Sequence, residues 1–138
     1  MPKFHYDIDG ADYSVAGQAS SSIKKILKQL GVNPEIIRKA AISMYEGEIN
    51  TVIHGKGGAA DVEIADGKII ITFTDNGPGI KDIEKAMQEG FSTASDEARE
   101  LGFGAGMGLP NMKKYSDELN IKSEIGKGTT VEIIINLV

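Results

Sequence analysis

Three features of the sequence predict an α/β (α+β) two-layer sandwich, a mixed and mainly antiparallel sheet covered on one face by helices. Asp9-Gly10, Asp66-Gly67 and Gly126-Lys127-Gly128 each separate two β-prone segments, as hairpin turns do. Segments with apolar residues at helical spacing lie between those hairpins. Hairpins pair neighbouring strands antiparallel, so the helices must gather on one face, which excludes a doubly wound parallel fold.

In chain order, residues 3–8 and 11–16 form the first expected hairpin, with Phe4, Tyr6, Ile8 and then Tyr13, Val15 alternating. Ser20 to Leu30 carries a helical stripe, Ile23, Ile26, Leu27 and Leu30, stopped by Gly31. Asn33-Pro34-Glu35 is a helix start, with a capping side chain, proline in the first position and an acid in the first turn. Ile36, Ile37, Ala40, Ala41, Met44, Ile49, Val52 and Ile53 extend that helix to His54, where Gly55-Lys56-Gly57-Gly58 ends it. Gly47 weakens it locally. Residues 60–65 and 68–75 form the second hairpin, and the almost continuously β-prone 68–75 reads as a central strand. Residues 81–101 read as a short helix and a polar stretch, a connection long enough to be a lid. A helix over 110–119 and two last strands, 120–125 and 129–137, complete the chain, which reads as a single domain over 1–138.

With 138 residues, 41% hydrophobic and 25% charged, the composition is that of a soluble globular domain. Glycine stands out, 17 of 138 residues against a usual ~7%. A formal charge of −5 argues against direct nucleic-acid binding. The absence of cysteine excludes disulfides and thiolate metal sites. With neither an apolar signal region nor a membrane-length apolar run, a cytoplasmic protein is expected.

Four stretches carry chemistry. Glu46, Asn50 and His54 recur at i, i+4 and i+8 on one face of the long helix, an arrangement that serves a hard cation and a proton equally well, or is simply a solvated polar stripe. Glu48 does not share that face and is expected to be a surface acid. Asp75-Asn-Gly77-Pro-Gly79 follows the central strand, where a carboxylate can accept from an exocyclic amine while glycines let a flat ring approach, although an ordinary turn reads the same way. Gly102-Phe-Gly104-Ala-Gly106-Met107-Gly108-Leu109 precedes a helix, as a phosphate cradle or a hinge would. Gly126-Lys-Gly128-Thr129 is a hairpin turn. Neither G-x-x-x-x-G-K-[ST] nor H-E-x-x-H is present.

In this order the four stretches resemble the motifs of the GHKL ATPases, which share the Bergerat ATP-binding fold with gyrase, heat-shock chaperones, histidine kinases and mismatch-repair proteins. The resemblance covers roughly residues 15–137. The run from Asp75 to Thr93 is similar to the RsbT-type switch kinases, with RsbW-type anti-sigma factors next nearest. The glycine loop is one Gly-x unit longer than in the switch kinases. The resemblance implies an ATP- and Mg2+-dependent serine/threonine kinase acting on a STAS-type antagonist or sigma-factor-type regulatory protein. Its alternative is an ATP-gated anti-sigma factor or adaptor that binds without phosphorylating, and a homodimer is compatible with either. It further implies Glu46 as general base and Asn50 as magnesium ligand. Asp75 would take the adenine amine, with Gly77, Gly79, Ile80 and Thr129 around the ring. His54 would lie beside ribose or phosphate. Gly104, Gly106, Met107, Gly108 and Leu109 would cradle the phosphates, and Arg99, in a lid over about 81–108, would reach the γ-phosphate.

Overall fold

The β-prone run Lys68–Asp75 becomes the middle strand of a five-stranded sheet, paired on both sides. In a computed structural model, residues 3–10, 16–53, 57–77, 79 and 108–137 are described. Among them the elements are β1 (Lys3–Asp9), α1 (Gln18–Gln29), α2 (Pro34–Ile53), β2 (Gly57–Ala65), β3 (Lys68–Asp75), α3 (Gly108–Tyr115), β4 (Glu118–Glu124) and β5 (Gly128–Asn136). The sheet order is β1-β2-β3-β5-β4, and every pairing is antiparallel. The expected two-layer class is borne out.

Alternation decides which face is buried. Ala60 and Val62 on β2, Ile69, Ile71 and Phe73 on β3, and Val131, Ile133 and Ile135 on β5 point to one side and are buried there. Ile23 and Leu27 of α1, Ile37, Ala40, Met44 and Val52 of α2, and Leu109 and Met112 of α3 close over them in a single core. Removing such side chains from water is the main driving force for this layer. α2 lies between α1 and α3 and rests on the sheet. Asn33 caps it as expected, its Oδ1 accepting the Glu35 N–H at 2.9 Å.

Gly47 does not break α2. It is buried, and a Cβ there would overlap the ring of Phe73. The missing side chain is what lets this turn of the helix come down onto the central strand.

Three boundaries differ from those read in the sequence. β1 pairs with β2, from Lys3↔Glu63 to Asp9↔Gly57, so it is an edge strand joined to a distant partner. Of the expected hairpin partner, 11–16, residues 11–15 lie outside the described residues and Ala16 is in a turn. β2 starts at Gly57 rather than residue 60, because pairing with both Ile8–Asp9 and Asp75 recruits the residues expected to be loop. α3 stops at Tyr115 and β4 starts at Glu118, since Glu118 pairs with Ile134 and the Asp117 N–H already bonds the Ile134 carbonyl at 3.0 Å. Pairing with β5 outweighs the last expected helical turn.

Candidate functional site

The site is built outward from α2. Glu46 is half-buried on α2, the helix that packs against α3, which carries Asn111. Burial raises the Glu46 pKa above the usual carboxylate value, and Asn111 offsets part of that rise. One turn on, Asn50 is also half-buried, and its carboxamide makes no hydrogen bond among the described residues. The structure therefore presents a carboxylate and a carboxamide side by side on α2.

Glu48 contradicts the surface expectation. It is 3% exposed, and its carboxylate receives three backbone N–H groups. Gly17 and Ala19 donate to Oε2 at 2.9 and 3.1 Å, and Ser20 donates to Oε1 at 3.0 Å. α1 has no side-chain cap of its own and no acid in its first turn. Glu48, reaching across from α2, supplies the acceptors and the negative charge that a helix N-terminus calls for. The two-residue offset that removes Glu48 from the Glu46 face is what turns it inward to α1. The missing cap on α1 was the available signal for this partner.

At the end of β3, Asp75 uses one carboxylate oxygen to organise backbone. Its Oδ1 accepts the Gly77 N–H at 2.9 Å and the Thr129 N–H at 3.2 Å. Oδ2 has no hydrogen-bond partner among the described residues. Gly79 (φ 81°) and Gly128 (φ 120°) both take a left-handed backbone. A Cβ at Gly128 would overlap the Asp75 carbonyl, and one at Gly79 would meet the Glu124 carbonyl. Asp75-x-Gly-x-Gly79 and Gly126-x-Gly128-Thr129, far apart in sequence, thus lie backbone to backbone. Thr129 is buried, its hydroxyl 2.8 Å from that of Ser123, which donates to the Gly128 carbonyl at 3.2 Å. Ser123 was not singled out in the sequence, although it follows the inward alternation of Leu119 and Ile121 on β4.

α3 begins at Gly108, and Leu109 is buried in the core, which fixes the start of this helix against the sheet. His54, Ile80, Arg99, Gly104, Gly106 and Met107, with the expected lid up to residue 107, lie outside the described residues. The structure brings together Glu46 with Asn50, and Asp75 with Gly77, Gly79 and Thr129. It adds Ser123 to the second group.

A second polar cluster lies on the face of the sheet opposite the described helices. His5 bridges Asp61 (Nδ1 to Oδ1, 2.6 Å) and Asp7 (Nε2 to Oδ1, 3.0 Å) beside a cavity of about 360 Å³ lined in part by Lys3, Glu63, Ile70 and Thr72. Asp61 first and Asp7 second raise the His5 pKa. Glu46 and Asp75 do not line this cavity.

Residues 37–138 match the family described as histidine kinase-, DNA gyrase B-, and HSP90-like ATPase. The chain belongs to this family. Among curated relatives, it is 38% identical over 120 residues to an anti-sigma F factor of Thermoanaerobacter sp. (strain X514), covering 83% of this chain and 80% of that protein. It is 34% identical over 115 residues to the serine/threonine-protein kinase RsbT of Bacillus subtilis (strain 168), covering 80% of each. The fold matches a crystal structure of the RsbU and RsbW domains of a Mycobacterium tuberculosis protein with a TM-score of 0.68 and 19% identity. That match spans 99% of this chain and 32% of that one. The GHKL resemblance read from the four motifs is borne out. No described helix of this family member is long and apolar enough to cross a membrane.

Proposed function

We propose that this GHKL chain is a cytoplasmic, ATP- and magnesium-dependent serine/threonine protein kinase of the switch-kinase or anti-sigma type, phosphorylating a STAS-type antagonist protein in a partner-switching circuit. The observation that carries the reading is the pairing of a half-buried Glu46, its pKa raised by burial, with a half-buried Asn50 one turn on along α2, the helix that packs against α3. The names of the RsbT and anti-sigma F relatives support the same class of activity.

The donors fit the groups that ATP would bring. Oδ2 of Asp75 would accept the adenine amine, while Oδ1 stays committed to the backbone of Gly77 and Thr129. At Gly79 and Gly128 the two segments approach so closely that neither could carry a Cβ, and the adenine ring would lie beside this backbone. Asn50, whose carboxamide makes no hydrogen bond among the described residues, would be the protein's ligand to magnesium, which usually keeps few protein ligands and several from water and phosphate. When bound, that ion would neutralise charge on the phosphates. Glu46 would take the proton of the acceptor hydroxyl, and burial, by raising its pKa, makes it a stronger base than an exposed carboxylate. The N-terminal end of α3, with the glycine loop before it, would hold the phosphates through backbone N–H groups.

The test is incubation with labelled ATP and candidate antagonist proteins. Transfer to a serine or threonine is expected, and Glu46→Gln should lose it while still binding ATP. No transfer to any antagonist, with Glu46→Gln indistinguishable in every assay, overturns the reading. The number of relatives called anti-sigma F factor favours one alternative, an ATP-gated binder that sequesters its partner without phosphorylating it. That reading requires nucleotide-dependent complex formation whose regulatory effect survives Glu46→Ala in full.

A further inference from the structure

The helices carry charge of one sign on their outer surface. Every lysine and arginine of α1, α2 and α3 is exposed, and among the described residues none of them forms an ion pair. Glu35 is the one exposed acid on these helices, since Glu46 is half-buried and Glu48 buried. The chain as a whole is acidic, with a formal charge of −5, so this basic layer is a local reversal. On the opposite face of the sheet, the outward positions of the strands carry Asp7, Asp61, Glu63, Glu118 and Glu132. A protein polarised in this way draws an acidic partner to its helices and turns it away from its strands.

The basic layer reaches the candidate site along α2. Arg38, Ile42, Glu46 and Asn50 recur every four residues and so share one face of that helix. The face is the one toward α3. The Arg38 guanidinium lies over the Tyr115 ring, 5.7 Å from its centroid, and the Lys114 ammonium lies 5.3 Å from the same centroid. Tyr115 is half-buried, while both cations stay exposed. A ring face attracts a cation without neutralising it. Two cations gathered on one ring, with no carboxylate to pair with among the described residues, form a fork for an incoming acid. Along the helix, Arg38 stands about 12 Å from Glu46.

We propose that Arg38 and Lys114, gathered on Tyr115, are the docking contact for an acidic surface of the protein acceptor. The proposal rests on the kinase reading, which places the acceptor hydroxyl at Glu46. A protein–protein contact of ordinary size covers about 800 Å² of each partner. An acceptor seated over Glu46 therefore extends far enough to meet Arg38. Its carboxylates take the guanidinium in bidentate fashion and the ammonium as a point charge, which sets its register along α2. A lipid surface or a nucleic acid would satisfy the same cations with phosphate, but brings no serine or threonine hydroxyl to the base.

The test uses the full chain with a short poly-glutamate peptide, with candidate STAS-type antagonist proteins, and with phosphatidylserine vesicles and duplex DNA. The peptide should shift the NMR signals of Arg38, Lys114 and Tyr115, and high salt should abolish the shifts. The double reversal Arg38→Glu with Lys114→Glu should raise the KM for the antagonist about tenfold or more, with kcat and ATP affinity within about twofold. Lys68→Glu, a charge reversal on β3, should leave that KM unchanged. Peptide shifts confined to other residues overturn the proposal, and so does a folded double variant with the wild-type KM. Binding of vesicles or DNA that the double variant loses, with antagonist affinity unaltered, overturns it as well. Failure of the kinase reading has a different signature. An antagonist that is bound but never phosphorylated, and bound more weakly by the double variant, removes the chemistry at Glu46 and leaves the docking contact standing.

Discussion

Glu46 and Glu48 stand two residues apart on α2, and the helix turns them to different neighbours. Glu48 faces α1, is almost wholly removed from solvent, and is surrounded by three backbone N–H donors. Glu46 faces α3, is half-buried, and has Asn111 to offset only part of a desolvation that raises its pKa. The backbone fully compensates the first charge, which makes it a strut between two helices. The second is compensated only in part, which is the condition of a group poised to change its protonation. Burial alone does not mark a reactive carboxylate; burial with too few donors does.

The contrast breaks most visibly if the strut is removed. Glu48→Ala leaves buried N–H groups at the α1 terminus without acceptors and should cost about 3 kcal/mol of stability, read from urea unfolding. ATP affinity in the fraction that remains folded should match wild type. A Glu48→Ala protein of wild-type stability would mean that the donors find water instead.

Asp75 combines both situations in one side chain, with Oδ1 holding backbone and Oδ2 without a hydrogen-bond partner among the described residues. Asn at this position can keep its oxygen toward Gly77 and Thr129, but it then presents an NH2 group where Oδ2 stood. Asp75→Asn should therefore lower ATP affinity by about ten- to a hundredfold or more, the equivalent of ~1.5–3 kcal/mol for a hydrogen bond to a charged group. Stability should change little. Unchanged affinity by calorimetry would remove the adenine assignment.

The smallest effect is in the pH dependence of stability. A carboxyl whose folded pKa lies above its unfolded value of about 4.3 holds more protons in the native state through that interval. Its contribution is most favourable below the unfolded pKa and is lost as pH rises through the folded one. Wild type should therefore lose stability relative to Glu46→Gln on raising the pH above about 4.3, with the gap levelling off once Glu46 is ionised. Paired melting curves across pH check this. A wild type that gains stability relative to Glu46→Gln as the pH rises would reverse the picture of a desolvated Glu46.

Much of the fold was legible because turn chemistry and periodicity are local. Asp66-Gly67 joins β2 to β3, and Asn33 caps α2, as read. Strand limits were less so, because the start of β4 depends on Ile134 and that of β2 on Ile8 and Asp75, partners distant in sequence. Asp75 and Thr129 were legible as motif members, and the structure places them in contact. Glu48 and Ser123 escaped for a common reason. Each acts on a backbone group in another element, and a backbone group has no side-chain identity to leave in a sequence.

The contact between Gly47 and Phe73 has a geometric consequence. With no Cβ between them, the ring of residue 73 sets the height of α2 above the sheet at the turn that carries Glu46. Two residues further along the same strand stands Asp75. β3 is thus a ruler with one proposed end of the nucleotide site at each mark. A substitution that changes the size of residue 73 would alter the span between the two ends without touching either.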